Sequence, residues 1–323
     1  MKVLIIGGAG MVGRNLAEAL VASGQLGGQA VTQLALFDVM PATTQGGNGV
    51  EVAALTGDIS DRATVDRLIA TRPDVIFHLA AIVSGEAEAD FDKGYRINLD
   101  GTRNILEAIR ALGDYHPRLV YTSSIAVFGA PFPDAIGDDF IPAPMTSYGT
   151  QKMIGELLLN DYSRRGIVDG VGIRLPTIVV RPGKPNKAAS GFFSGIIREP
   201  LAGLEAVLPV DEDVRQWVAS PASATGFLIH AATMDTAPLG ARRCLTMPGL
   251  SITVGEMIEA LGEVAGQDKL ALIKREPDAT IRGIVAGWPR NFDPARALAA
   301  GFTADASFHD IVRAHIRDME AAG

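Results

Sequence analysis

Tyr148 and Lys152, in the stretch Ser147-Tyr148-Gly149-Thr150-Gln151-Lys152, are the residues of this chain best suited to moving a proton. On a helix, a separation of four puts both side chains on one face, a turn apart. A tyrosine hydroxyl is a poor base at its ordinary pKa of about 10. A fixed ammonium a few ångströms away favours the phenolate. The spacing therefore predicts a tyrosine drawn toward neutrality and able to take a proton from an alcohol. The same spacing also suits a solvated face of an ordinary helix, so the pair acquires meaning only from what precedes it.

What precedes it is a nucleotide-binding pattern. Residues 3–6 are continuously apolar, as in a strand covered on both faces. Gly7-Gly8-Ala9-Gly10-Met11-Val12-Gly13 follows, and then a helical pattern through Leu16, Ala19 and Leu20. Strand, glycine turn and helix are the setting that gives G-x-G-x-x-G its meaning. Gly7, Gly10 and Gly13 let the backbone approach a pyrophosphate, and the helix opening at Met11 and Val12 offers free N–H groups and the positive end of its dipole. A second strand, 34–37, ends in Asp38. An acid there accepts hydrogen bonds from a ribose diol and repels a 2'-phosphate, so the cofactor expected is NAD; a turn or helix cap is the other use of such an Asp. Asp58 and Ile59 follow a third strand; Asp58 could meet the adenine amino group, while Ser60 and Asp61 suit a helix cap. A fourth run, 75–81, exits through Leu79, Ala80 and Ala81, small enough at its end for a cofactor to lie against the backbone, and His78 within it reads as a core histidine. Asn98 is expected to open the next helix, and 119–122 forms a fifth strand leading into Ser124. Strands alternating with helices in this rhythm call for an α/β fold, a doubly wound parallel sheet.

The glycine loop, Asp38, the Ser123-Ser124-Ile125-Ala126-Val127-Phe128-Gly129 segment and the Tyr148/Lys152 pair stand in the order of the extended short-chain dehydrogenase/reductase family, which residues 1 to about 180 resemble. By that resemblance Ser124 is the catalytic hydroxyl and Tyr148 the acid/base. Lys152 holds the nicotinamide ribose and lowers the tyrosine pKa, and Asn98 and Pro176 join the cofactor contacts. The resemblance also implies an NAD-dependent oxidoreductase acting on a CH–OH group, and a homodimer formed through the Asn98 and Tyr148 helices. Sugar-nucleotide members carry Asn in R-x-x-N where this chain has Thr177, after Arg174. Dehydratase members place acids where Ile125 and Ala126 stand. Both departures speak against sugar-nucleotide and dehydratase chemistry, and the substrate that the resemblance implies is a small sugar acid oxidised at its C2 hydroxyl. Threonine, also a small alcohol bearing a carboxylate, a sugar-nucleotide 4-epimerase and a non-catalytic NAD-sensing module are the alternatives.

Residues 171–180 read as one further core strand running toward the cofactor, and beyond it the composition changes. Pro182, Gly183, Pro185 and a run of small residues suggest a passage into a second domain. Arg181, Lys184, Lys187, Arg198 and Arg215 gather positive charge there; Arg181, Lys184 and Arg215 are the candidates for a substrate carboxylate, with Arg the better bidentate partner. Thr177, Ser84 and Asn186 are candidate polyol-binding groups. The segment 214–232, with Trp217, is expected to return to the nucleotide-binding domain. Residues 1–180 with 214–246 would then form the Rossmann domain, and 181–213 with 247–323 a smaller discontinuous substrate domain. Asp293-Pro294 reads as an N-cap followed by proline at the first helical position.

Composition bounds these readings. The 323 residues are 47% hydrophobic and 20% charged, an ordinary globular balance, and the formal charge of −8 argues against nucleic acid or an anionic membrane as partner. A single cysteine, Cys244, excludes an internal disulfide and fits a reducing cytoplasm. The five histidines show no metal-ligand spacing, and no apolar run reaches the length of a membrane span.

Overall fold

The computed structural model describes residues 1–183 and 190–322, in two units. The first comprises Met1–Val127, Pro144–Leu175 and Thr225–Met247. Its chain runs β1 (Lys2–Ile6), α1 (Met11–Ser23), β2 (Gln33–Asp38), β3 (Glu51–Thr56), α2 (Arg62–Ile69), β4 (Val75–His78), α3 (Gly101–Ala111), β5 (Arg118–Ser124), α4 (Ser147–Arg164) and β6 (Asp169–Leu175), and closes with β7 (Cys244–Thr246). The sheet order is β7-β6-β5-β4-β1-β2-β3, and every neighbouring pair is parallel. The order turns outward on either side of β1 and β4, so their carboxyl ends form the crevice where an open α/β sheet takes its ligand. All four residues of β4, and Val3 to Ile6 of β1, are buried, as strands covered on both faces must be. One side of the sheet packs on Ile105, Leu106 and Ile109 of α3, with Val65 and Ile69 of α2 beside them.

The second unit comprises Phe128–Ala143, Pro176–Ala224 and Pro248–Gly323. It holds a three-stranded sheet in which Arg215–Ala219 pairs in parallel with Thr177–Ile178 and antiparallel with Leu250–Thr253. Its core gathers Phe193, Ile196 and Ile197 from the helix Gly191–Leu201, Met257 and Leu261 from Val254–Ala265, and Ile311 and Val312 from Phe308–Ala322. Thr253 and Glu256 form a reciprocal capping box at the head of Val254–Ala265.

Several boundaries differ from the sequence expectation. The run 171–180 is two strands, because Pro176 cannot donate to a ladder; β6 stays in the large sheet and Thr177–Ile178 joins the small one. Residues 215–219 likewise belong to the small sheet, and the boundary between units falls inside the helix Pro221–Thr233. Phe128–Ala143 also lies in the second unit, where Ile136–Gly137 pairs with Phe292–Asp293 and the Phe128 ring meets Phe140 and Phe292. Asn98 does not open a helix. It sits within a π-helical turn, Tyr95–Asp100, that runs directly into α3. Asp293 ends a strand, and Pro294 itself is the N-cap of Ala295–Ala299.

Candidate active site

The glycine loop leaves β1 and enters α1 with almost no space to spare. Gly7 has φ of 98°, and a Cβ there would stand 2.7 Å from the Ala80 nitrogen. A Cβ on Gly13 would stand 2.1 Å from the Gly7 carbonyl oxygen, so the first turn of α1 rests directly on the loop. No side chain caps α1, whose N-cap is Gly10, and its opening N–H groups at Met11 and Val12 are left to a ligand. Asp38 is tied to the same loop. Its Oδ2 accepts from the Ala9 N–H at 3.0 Å, and its Oδ1 from the Met40 N–H at 3.3 Å.

Gly7, Gly10, Asp38, Asp58, Ile59, Leu79, Ala80 and Ala81 together line a cleft of about 190 Å³, with Phe37, Val39, Ile82 and Ile97 supplying apolar wall. Thus the cofactor residues expected from β1 through β4 come together. Asp58 accepts from the Ser60 N–H at 2.8 Å, while Asp61 caps α2, which separates two roles the sequence left open. Asn98 is 2% exposed and grips the strand exit: Oδ1 accepts from the Ile82 N–H at 2.9 Å, and Nδ2 donates to the Ile82 carbonyl at 3.2 Å and to Gln151 Oε1 at 2.8 Å. It shapes one wall of the cleft by holding backbone.

The residues expected to move a proton lie at the end of β5 and the start of α4. Thr146 caps α4 by accepting from the Gly149 N–H, which fixes Tyr148 in the first turn. Lys152 is 3% exposed. Its Nζ donates to the Thr122 carbonyl at 2.8 Å and stands 5.8 Å from the centre of the Tyr148 ring and 5.0 Å from that of Tyr121. Ser124 Oγ accepts from the Ala126 N–H at 3.1 Å, which holds the hydroxyl at the strand tip.

The electrostatics reverse the sequence expectation. Burial pushes Tyr148 up to about 12, with the Ser124 hydroxyl pulling the other way. Burial also brings Lys152 down to about 7, opposed by the charge of Glu156. Each group is penalised for carrying charge away from water, and that penalty exceeds what one gives the other. His78 is a core histidine as expected: burial, then the nearby Lys152 charge, lower it to about 3, and its Nε2 lies 2.8 Å from Thr102 Oγ1.

The remaining expected residues separate. Ser84 begins the short helix Ser84–Ala89 in the first unit. Pro176, Thr177, Arg181 and Arg215 belong to the second. There Thr177 Oγ1 accepts from Gln216 Nε2 at 2.7 Å; Arg181 donates through Nη2 to Ser190 Oγ at 2.8 Å; and Arg215 donates to the Ser251 carbonyl at 2.7 Å and faces Glu256 at 3.6 Å. Both guanidiniums are thus already engaged. Lys184 and Asn186 lie outside the described residues. Trp217 is packing, buried against the Phe292 ring. Sequence reasoning missed the groups beneath Lys152, namely Ser123, Glu156 and Arg174. Glu156 lies one turn beyond Lys152 on the same helix face, and that repeat of the four-residue spacing was the available signal. Among the described residues no group of three or more His, Cys, Asp or Glu side chains could hold a metal ion, and no helix is long and apolar enough to cross a membrane.

A glycine cradle at the carboxyl edge of a parallel sheet, an acid on β2 and a Ser/Tyr/Lys set define a dinucleotide-dependent enzyme class, and residues 3–239 match one family within it: the chain belongs to the NAD dependent epimerase/dehydratase family. It is 49% identical to D-erythronate dehydrogenase from Cupriavidus necator, across 100% of both chains. Against D-erythronate dehydrogenase from Haemophilus influenzae identity is 44%, across 98% of this chain and 99% of the relative. A crystal structure of the nucleoside-diphosphate-sugar epimerase from Agrobacterium tumefaciens is 58% identical and superposes with a TM-score of 0.97, covering 100% of this chain and 95% of that one. GalE-like L-threonine dehydrogenase from Cupriavidus necator shares the fold, with a TM-score of 0.84 at 23% identity over 99% of this chain and 100% of that one.

Proposed function

We propose that this chain is an NAD-dependent D-erythronate dehydrogenase, oxidising the C2 hydroxyl of the four-carbon sugar acid to the 2-oxo acid. The observation that carries this reading is full-length identity of 49% and 44% to two D-erythronate dehydrogenases, in a chain that retains the Ser124, Tyr148 and Lys152 set.

The residues present fit the dinucleotide. The loop at Gly7, Gly10 and Gly13 has no room for a Cβ at its ends, the head of α1 is uncapped, and Asp38 stands on the cleft wall with Oδ1 making only the long contact to Met40. Bound NAD supplies the hydride acceptor for the substrate C2 hydrogen, and positive charge in its oxidised ring. Ser124 and Tyr148 hold the reacting hydroxyl, and Tyr148 accepts its proton. Lys152, anchored on the Thr122 carbonyl, supports the phenolate by its charge. Since burial, opposed by the Ser124 hydroxyl, leaves Tyr148 at about 12, this support has to be strong for turnover near neutrality. Thr177, Ser84, Arg215, Arg181, Lys184 and Asn186 remain the proposed substrate contacts, and Asn98, Pro176 and Leu79 belong to the cofactor side. A homodimer in a reducing cytoplasm is the proposed setting.

An NADH-absorbance assay over D-erythronate, other C3–C6 aldonic acids, L-threonine and UDP-sugars tests the reading. D-Erythronate is expected to give stoichiometric NADH with the highest kcat/KM. The second reading, a nucleoside-diphosphate-sugar epimerase, draws on the Agrobacterium structure, and it requires a UDP-sugar product with no net NADH. The third, threonine oxidation as in the L-threonine dehydrogenases of the same fold, requires L-threonine to outrun the aldonic acids. Thr177, standing where sugar-nucleotide members carry Asn, favours the small acid over the nucleotide.

A further inference from the structure

Lys152 is the charged group on which the proposed chemistry turns, and burial works against its charge. The groups facing it come from each packed element. On its own helix these are Tyr148 and Glu156. Strand β5 contributes Tyr121 and the Thr122 carbonyl, β4 contributes His78, and Arg174 of β6 bears on it through its ion pair with Glu156. Burial keeps the Tyr121 hydroxyl protonated, well above its ordinary range, and keeps His78 neutral. Among these described groups, Glu156 alone brings negative charge.

That carboxylate is held with unusual care. Glu156 is 1% exposed. Arg174 grips it from β6, with Nη2 on Oε2 at 2.7 Å and Nε 2.9 Å from Oε1 and 3.1 Å from Oε2. Ser123, the neighbour of the catalytic hydroxyl, donates to Oε1 at 2.5 Å. The carboxylate is therefore tied to both strands that flank the catalytic helix, one turn beyond Lys152. A buried ion pair of this kind contributes little to stability over an apolar replacement, so stability alone does not account for it.

We infer that Glu156 is a positioning residue for the reaction, the fixed counter-charge that keeps Lys152 an ammonium, with Arg174 and Ser123 holding it in register. Arg174 offsets part of the negative charge and prevents Glu156 from taking up a proton itself. The inference rests on the reading of Tyr148 and Lys152 as the proton-moving pair. It adds that α4 carries three functional groups at four-residue spacing, Tyr148, Lys152 and Glu156.

The test is the titration of Lys152 in the dinucleotide-free protein, followed by NMR of 13Cε-labelled lysine and assigned with Lys152→Met. Glu156→Gln keeps the shape and removes the charge; the double variant Glu156→Gln, Arg174→Met also removes the charge without leaving an unpaired guanidinium, and decides the matter if the single variant fails to fold. In Glu156→Gln the Lys152 midpoint is expected to fall by on the order of one pH unit, and in the double variant, where the opposing Arg174 charge is lost too, by a smaller amount in the same direction. The alkaline limb of kcat/KM for D-erythronate should move down with it. A merely structural Glu156 would lower Tm and leave both midpoints in place, and that result overturns the inference. If instead the Lys152 midpoint moves but Lys152→Met still turns over, the Glu156–Lys152 coupling stands and the catalytic reading of Lys152 falls.

Discussion

Asp38→Asn isolates one charge at the cofactor site. The wild-type carboxylate lines the cleft and divides its contacts by atom: Oδ2 accepts from the Ala9 N–H of the glycine loop at 3.0 Å, and Oδ1 accepts from the Met40 N–H at 3.3 Å. An asparagine oxygen can still accept from Ala9, so the loop should survive, and what is lost is a charged acceptor for the ribose diol. A hydrogen bond to a charged group contributes about 1.5–3 kcal/mol. At 1.36 kcal/mol per factor of ten, kcat/KM for NAD should fall roughly 10- to 160-fold. NADP should improve over its wild-type value, because a 2'-phosphate no longer meets a carboxylate. The assay is NADH or NADPH formation with D-erythronate across both cofactors, with Asp38→Ala as a second variant that also releases Ala9 and should be weaker still with NAD. If the ratio of the two efficiencies in Asp38→Asn equals that of the wild type, Asp38 serves the loop alone and the basis for NAD selection lies elsewhere.

Tyr148→Phe removes the proposed proton acceptor and keeps the ring, so turnover should be lost while NAD still binds, as read by calorimetry; substantial residual kcat would place the proton on another group. Lys152 is lowered from 10.5 to about 7 in the folded protein, so between those values the unfolded chain binds the extra proton. Stability of the dinucleotide-free protein should therefore rise with pH through that window, by up to about 1.36 kcal/mol per pH unit, and the rise should vanish in Lys152→Met when Tm is followed from pH 7 to 9. Gly13→Ala puts a methyl 2.1 Å from the Gly7 carbonyl oxygen, and should cost about 1–3 kcal/mol in denaturant melts together with most NAD affinity. Replacing Arg181, Lys184 and Arg215 singly with Met should raise KM for the acid roughly 10- to 160-fold at the true carboxylate partner and leave NAD affinity intact; three unchanged KM values would move the carboxylate to Thr177, Ser84, Asn186 or backbone N–H groups.

The nucleotide-binding half of the molecule was legible because its signals are local. Apolar runs at residues 3–6 and 75–77, the glycine spacing after β1, and Asp38 at the end of β2 each state their own structure, and the cleft follows from their shared sheet. The division into units was less legible because it depends on pairing across distance. Nothing near Thr177 says that its partner is Val218, or near Ile136 that its partner is Phe292. Pro176 was the one local clue to the break, and its inability to join a ladder outweighed the apolar run around it. Asn98 is expected from the sequence to open a helix; the structure instead buries it in a π-helical turn, where its amide satisfies both backbone groups of Ile82.

The spacing of Tyr148 and Lys152 gave no sign of the direction of their pKa shifts, because the cause is burial, which spacing does not encode. A solvated Tyr148/Lys152 pair would be an ordinary i,i+4 contact with little influence on either pKa. In the same pair, with Lys152 3% exposed and packed over the Tyr121 ring, Tyr148 is raised to about 12 and Lys152 lowered to about 7, so near pH 7 the tyrosine is protonated and the lysine is poised between its two forms. The desolvation responsible for those shifts also removes the water that would screen a nearby charge, so each charge added there acts more strongly than it would at the surface. Lys152 feels Glu156 for this reason, and Tyr148 should respond steeply to positive charge delivered beside it.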